Sequence, residues 1–384
     1  MKHIKGFIFI GLILILLNAC QTAEEGQQSI AEEDDILTVY TTIFPLQDFA
    51  QKIGGEFVEV HNMIPAGADA HTYDPSAKDM IDVAEGDVFL YNGSGLEGFV
   101  DSLIETLKNE EVAIVEASAN IELMEGSHSH QHHEHEGHEE DEHEHHEHGG
   151  HEEDEHEHHD HGGHEEDEHE HHEHEGHEED EHEHHEHEGH EEDEHEHHEH
   201  EEGGHEHHHH GDEDPHVWLD PLLSIELAEN IKNAFVDVKP EQADLFESNF
   251  EQLKEELNTL HQEFEKMAKE AEKNTFIVSH AGYGYWEQRY GLHQVGITGL
   301  TGTNEPSHKQ IQDIIQLVEE NDINYIMFEQ NIPSKISEVV QVETNTDALT
   351  LHNLEVLTQE DINNKEDYFS LMQQNIQVLE QALN

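Results

Sequence analysis

Forty-four of the 384 residues are histidine, several-fold more than average usage supplies, and imidazole is the commonest side-chain ligand for zinc-like metals. Thirty-five of them fall between Gly126 and Asp214, an 89-residue tract that also holds 40 Asp or Glu and no Lys or Arg. His-X-His and His-His spacings bring several imidazoles and carboxylates within reach of one ion. The tract is therefore expected to bind several ions weakly, with His128, His130, His132, His133 and His135 near its start and His205, His207, His208, His209 and His210 near its end as auxiliary ligands. A solvated acidic spacer would account for the acids but leave the histidines unexplained.

Four residues outside the tract have the types a single tight site needs. His71 lies in PAGADAHTYDPS, His216 in DPHVWLDP, His280 closes TFIVSH, and Glu355 lies in LHNLEVLT. Three imidazoles and one carboxylate suit tetrahedral Zn²⁺, whose bonds to His nitrogen and carboxylate oxygen are about 2.0–2.2 Å. Plainer roles compete: a surface histidine at 71, an outlier of the tract at 216, a strand-end hydrogen bond at 280. For the fourth position Glu355 competes with His352, three residues away, and with water. His61, His261, His293 and His308 read as structural or solvated.

The elements around these residues alternate. From Ile36 to Ala117, apolar runs at 37–40, 58–64, 88–92 and 112–117 are separated by amphipathic stretches at 45–53, 76–85 and 96–108. The alternation recurs at 275–280, 292–297, 324–329 and 348–353, with helices from about 283, over 307–320, 335–344 and 366–382. The expected fold is α/β, with two Rossmann-like lobes on parallel sheets. Between them, Leu245, Phe246, Phe250, Leu253, Leu257, Leu260, Phe264 and Met267 keep helical spacing with no Gly or Pro. That predicts one long helix over 240–273, joining and bracing the lobes. Ligands in open α/β sheets gather beyond the carboxyl ends of the strands. Two candidates fall in each lobe, so the ion is expected in the cleft between them.

The tract interrupts the first lobe, 36–239, after its fourth strand, and the second lobe covers 274–384. Five 13-residue units begin at Gly137, Gly150, Gly163, Gly176 and Gly189 and hold no apolar residue. That composition has no core to bury and predicts disorder without metal. Stretching a short loop to this length costs only about 2–3 kcal/mol of closure entropy, so the lobe can tolerate it.

Residues 1–20 carry two lysines, an apolar run from Gly6 to Leu17 and a small-residue end, the pattern of a signal peptide too short to span a membrane. The only cysteine, Cys20, closes Leu17-Asn18-Ala19-Cys20, which resembles a bacterial lipobox, although Asn18 is unusual there. A lipidated Cys20 followed by a polar tether over 21–35 would hold a soluble body against membrane lipid. A formal charge of −78 excludes a nucleic-acid binder.

The motifs GADAHTYDPS, DPHVWLDP, SHAGYGYWEQRYGL, GLTGTNEPSHKQI and LTLHNLEVLT resemble those of the zinc branch of the cluster A-I solute-binding lipoproteins of bacterial ABC importers, the ZnuA/AdcA type. The resemblance covers nearly everything from residue 36 to 384 outside the tract; GADAH departs slightly from the family's usual GxDPH. It implies a rigid protein built on a long helix, with modest domain movement, that hands Zn²⁺ to an ABC permease and its ATPase. It also implies His71, His216, His280 and Glu355 as ligands. Zinc-specific members carry a His-rich acidic loop where the tract sits. Manganese-specific relatives have a carboxylate in place of His280, so nitrogen there favours zinc.

Two other functions compete. A metallohydrolase would keep a zinc position open for water, which Glu355 would close, and no HExxH or GxSxG is present. A surface metal buffer or adhesin would explain the anchor and the tract but not a two-lobe cleft. The chain is thus expected to be a non-enzymatic, monomeric zinc-binding protein on the extracytoplasmic face of the membrane.

Overall fold

The computed structural model describes residues 36–126, 213–302, 306–332 and 334–384. In the first lobe, β1 (Leu37–Thr41), α1 (Phe44–Gly54), β2 (Val58–Asn62), α2 (Ala77–Ala84), β3 (Val88–Tyr91), α3 (Val100–Leu107) and β4 (Ala113–Glu116) alternate. All pairings are parallel, in the order β2-β1-β3-β4, with Leu37 opposite Val58, Val39 opposite Val88 and Val88 opposite Ala113. The chain then leaves the lobe beside the point where it returns: Glu125 and Glu213 form an antiparallel bridge, and the Asp214 N–H donates to the Met124 carbonyl at 2.9 Å.

After the return come α4 (Pro221–Val238) and α5 (Ala243–Glu270), then β5 (Thr275–His280), α6 (Gly284–Tyr290), β6 (His293–Thr298), α7 (His308–Glu320), β7 (Tyr325–Phe328), α8 (Lys335–Thr344), β8 (Asp347–Thr350), α9 (Gln359–Asn364) and α10 (Tyr368–Leu383). The second sheet runs β6-β5-β7-β8, again all parallel, so the two lobes share one strand order. The short apolar runs behave as parallel strands do when helices cover both faces: five of the six residues of β5 are buried.

The long helix is α5, 28 residues or about 42 Å at 1.5 Å per residue. Its buried residues Phe246, Phe250, Leu253, Leu257, Leu260, Phe264 and Met267 alternate spacings of four and three, which makes one continuous stripe. That stripe belongs to a single core that includes Val39, Phe49 and Phe235 of the first lobe with Phe276, Trp286, Leu371 and Leu379 of the second. Smaller cores lie elsewhere in each lobe, around Phe89 and Leu103 and around Ile277 and Ile326. Because the largest core crosses from lobe to lobe, shifting one against the other would expose it.

Three elements differ from expectation. Helix α5 is shorter than 240–273, because Pro240–Gln242 form a 3-10 turn and Ala271 turns extended at φ −63°, ψ 137°. Helix α4 was not anticipated: Ser224 and Lys232 lie on its buried side and interrupt the apolar pattern. Asp220 caps it, accepting from the Leu222 N–H at 2.8 Å, with Pro221 following in the first turn. A short helix that was not expected, α9, precedes the closing helix; Lys365 at φ 58° ends it, and Asp367 then caps α10, which keeps nearly the expected bounds of 366–382. Among the described residues no helix is long and apolar enough to cross a membrane.

Candidate metal centre

Each candidate ligand is set by its own local structure. The loop after β2 turns through Gly67 at φ 77°, and its N–H donates to the Leu357 carbonyl across the cleft at 2.9 Å. Asp69 then accepts from the His71 N–H and the Thr72 hydroxyl, both at 2.9 Å, which fixes the turn that presents His71. His216 precedes the 3-10 turn Val217–Leu219. Its segment is held by side chains from elsewhere: Asn92 donates to the Pro215 carbonyl at 3.0 Å, the Tyr285 hydroxyl to that of Asp214 at 2.7 Å, and the Trp286 indole to that of Leu219 at 2.7 Å.

His280 is the last residue of β5, next to β7 in the sheet. Space beside it is closed: a Cβ added at Gly282 would stand 2.5 Å from His280 Nε2 and 3.3 Å from His216 Cδ2. Glu355 follows a left-handed Leu354, φ 63°. The Asn353 side chain accepts from the Glu355 N–H at 3.2 Å, and the Glu355 carbonyl accepts from the Phe44 N–H at 2.8 Å.

These four local structures converge. One nitrogen from each of His71, His216 and His280 and one oxygen of Glu355 lie within 4.8 Å of one another. His216 Nε2 stands 3.3 Å from both His71 Nε2 and His280 Nε2. Glu355 Oε1 stands 3.7 Å from His71 Nε2 and 3.8 Å from His216 Nε2. A tetrahedron with bonds near 2.05 Å has edges of about 3.3 Å, the separation the imidazoles already have. Glu355 Oε1 is buried and has no hydrogen-bond partner, a costly state for a carboxylate oxygen unless a cation meets it. The donor set therefore fits a four-coordinate divalent ion of zinc's chemistry.

Carboxylates behind two of the rings settle which nitrogen faces inward. Asp214 Oδ1 lies 2.7 Å from His216 Nδ1 and also accepts the His216 N–H at 3.0 Å. Glu329, one residue past β7, meets His280 Nδ1 and the Ser279 hydroxyl. With Nδ1 turned outward to a carboxylate, Nε2 is the nitrogen each ring presents to the centre, where a bound ion would take the place of a proton. Burial, reinforced by the neighbouring His216 and His280, drives the His71 imidazole down to about 2, so it stays neutral. Burial also disfavours charge on His280, but the Glu329 carboxylate outweighs it and pushes the ring up to about 9. Burial raises Glu355 as well, with His280 and His216 pulling it the other way.

His352 stands apart from this group. Its Nδ1 accepts the Leu354 N–H at 2.9 Å and its Nε2 faces Asp361 Oδ2 at 3.3 Å, so both nitrogens are engaged away from the cleft. The other histidines are peripheral: His61 lies against Tyr40, His261 beside the Tyr290 hydroxyl, His293 beside Glu287, and His308 is exposed at the start of α7. Cys20 and the tract histidines from His128 to His210 lie outside the described residues.

Sequence reasoning missed Asp214, Glu329, Asn331 and Gly282. Asp214 counted as the last acid of the tract, yet it is 2% exposed and bonded to His216. Its position two residues ahead of a candidate ligand was a usable signal. Glu329 stands out only once the strand it follows, β7, is paired with β5.

The family model described as "Zinc-uptake complex component A periplasmic", ZnuA, matches residues 39–382. The chain belongs to the ZnuA family. It is 28% identical over 382 residues to the zinc-binding protein AdcA of Streptococcus pyogenes, an alignment covering 98% of this chain and 61% of that protein. The chain thus spans about three fifths of the length of the curated relatives it first matches. It is 27% identical over 382 residues to the high-affinity zinc uptake system protein ZnuA of Bacillus subtilis, covering 100% of this chain and 98% of that one. The fold is that of the Zn(II)-bound ZnuA-like domain of Streptococcus pneumoniae AdcA, with a TM-score of 0.61 at 24% identity over 91% of this chain and 99% of that one.

Proposed function

We propose that the chain is the extracytoplasmic zinc-binding component of an ABC importer, which captures Zn²⁺ in the cleft and delivers it to a membrane permease driven by its ATPase. The observation that carries this reading is the convergence of three imidazole nitrogens and one unpartnered carboxylate oxygen within 4.8 Å. Nitrogen at His280, where a harder ion would call for oxygen, favours zinc over manganese. The names of the relatives, a zinc-binding protein and a zinc uptake component, support the same cargo.

Binding, not catalysis, suits the donor set, since Glu355 takes the position a hydrolytic zinc leaves to water. The protein acts as a monomer held to membrane lipid through Cys20. The histidine tract, whose last histidine, His210, stands six residues before His216 in the sequence, captures ions near the membrane, and the cleft holds one tightly.

A titration with zinc and manganese in competition tests the assignment. A protein lacking 127–211 is expected to keep one tight zinc, and alanine at His71, His216 or His280 is expected to remove that binding. Equal tight binding in the alanine variants would sink the cleft assignment. Normal growth of a deletion strain under zinc chelation would point instead to a metal buffer uncoupled from import.

A further inference from the structure

The two oxygens of Glu355 have different surroundings. Oε1 faces the imidazoles without a hydrogen-bond partner. Oε2 accepts from Asn331 Nδ2 at 3.1 Å. The same amide nitrogen donates to the Ala68 carbonyl at 3.2 Å, in the loop that carries His71. Asn331 Oδ1 accepts from Asn353 Nδ2 at 2.9 Å, and Asn353 Oδ1 accepts from the Glu355 N–H at 3.2 Å and from Gln330 Nε2 at 2.9 Å. Donors and acceptors alternate through this network. A flipped Asn331 amide would turn its oxygen toward two acceptors, so only one orientation is satisfied. Asn331 is 6% exposed, which leaves water little room to replace it.

We infer that Asn331 fixes the number of oxygens Glu355 gives the ion, and through it the preference for zinc over ions that take larger shells; the inference rests on the cleft being the zinc site. A carboxylate with one oxygen engaged by an amide offers the ion a single bond. Three imidazoles add three, which makes the four of tetrahedral zinc. Without Asn331, Oε2 would be a buried acceptor lacking its donor, a costly condition, and the ion beside Oε1 is the nearest group that could satisfy it. Glu355 would then bind through both oxygens, coordination would rise to five, and the site would approach the more oxygen-rich shells of ions such as manganese. Asn331 touches no ion itself. It is a positioning residue that joins the Glu355 carboxylate to the loop of His71 in the other lobe.

The test loads the full chain with half an equivalent of cobalt(II), a visible-absorbing stand-in for zinc whose bands are intense in four-coordinate sites and weaken at five. The unsubstituted protein is expected to show the intense bands. Asn331→Leu is expected to weaken them and to lower the zinc-over-manganese affinity ratio about tenfold or more, in the range typical for groups that orient metal ligands. Intense bands and an unchanged ratio in Asn331→Leu would overturn the inference. Weak bands in the unsubstituted protein would also overturn it, and that measurement decides the matter alone if the leucine variant does not fold. The double variant His71→Ala/His280→Ala separates this inference from the reading beneath it: if its bands match those of the unsubstituted protein, the ion is not in the cleft and both fail.

Discussion

His216 and His280 stand on fixed supports, whereas His71 and Glu355 come from loops. Behind each of the first two is a carboxylate, Asp214 or Glu329, and both rings are fully buried. No carboxylate backs His71 in this way among the described residues, and its side chain is the one of the four with measurable exposure, 5% against 0% for the others. The supported pair is thus aimed before an ion arrives, while His71 meets it at the one exposed corner of the site. The difference separates candidate ligands held by carboxylates from one whose side chain reaches solvent.

The largest effect should follow removal of a supported ligand. His280→Ala deletes a nitrogen and also strands the buried Glu329 carboxylate. Zinc affinity should fall by more than about a hundredfold, beyond the usual range for outer contacts. His71→Ala should cost less, because water can enter at the exposed corner. Chelator-competition titrations of the two proteins give the ranking, and an equal or greater loss at His71 would break the comparison.

Crowding the supported pair comes next. Gly282→Ala places a methyl where Nε2 of His280 now sits 2.5 Å away, closer than any real contact, so the ring must turn from the centre. A loss of zinc affinity of at least about tenfold is expected, and zinc-free thermal unfolding should change little. Wild-type affinity in this variant would mean that the rings are not held as tightly as their carboxylates suggest.

Releasing the supports without touching a ligand sharpens the comparison further. Glu329→Gln and Asp214→Asn keep shape and lose charge, and each should weaken zinc by about ten- to hundredfold. If Asp69→Asn, behind the His71 turn, cost as much as either, the division between supported and loop-borne ligands would not hold.

The same division marks what could be read in the sequence. Eight apolar runs became eight strands, and the central ones such as β3 and β5, covered on both faces, need only a short unbroken stretch of Val, Ile, Leu or Phe, which is a local signal. The four candidate ligands could be picked out because strand ends in a parallel sheet share one edge, so knowing the strands put His280 and Glu355 on the same side of the second sheet before any distance was known. Of the carboxylates behind them, only Asp214 carried a local signal, its place two residues ahead of His216. Acids are abundant in this chain, and nothing local separates Glu329 from its neighbours until β7 is paired with β5. Asn331 has significance only through partners at positions 68, 353 and 355. Helix α4 was hidden for a related reason, since Ser224 finds its acceptor, the Trp218 carbonyl, only in the folded chain.

The smallest expected effect lies behind the Glu355 loop. The hydrogen bond to His352, helped by the Thr358 cap and opposed by burial, holds the Asp361 carboxyl down at about 2. Its folded value is below that of the unfolded chain, near 3.9. The stabilisation is therefore present above about pH 4 and is lost as pH falls through about 2. The full difference would be about 2.5 kcal/mol, but Asp361 is only half-buried and solvent screening reduces this to about 1 kcal/mol. Asp361→Asn should then unfold about 1–2 °C lower than the parent at pH 7, with the gap closing toward pH 2. A gap that stayed constant with pH would assign the loss to the cap geometry of α9 and not to the charge. Zinc affinity should barely move, because His352 keeps the Leu354 N–H on its other nitrogen; a tenfold loss would show that the loop of Glu355 depends on this pair as closely as His280 depends on Glu329.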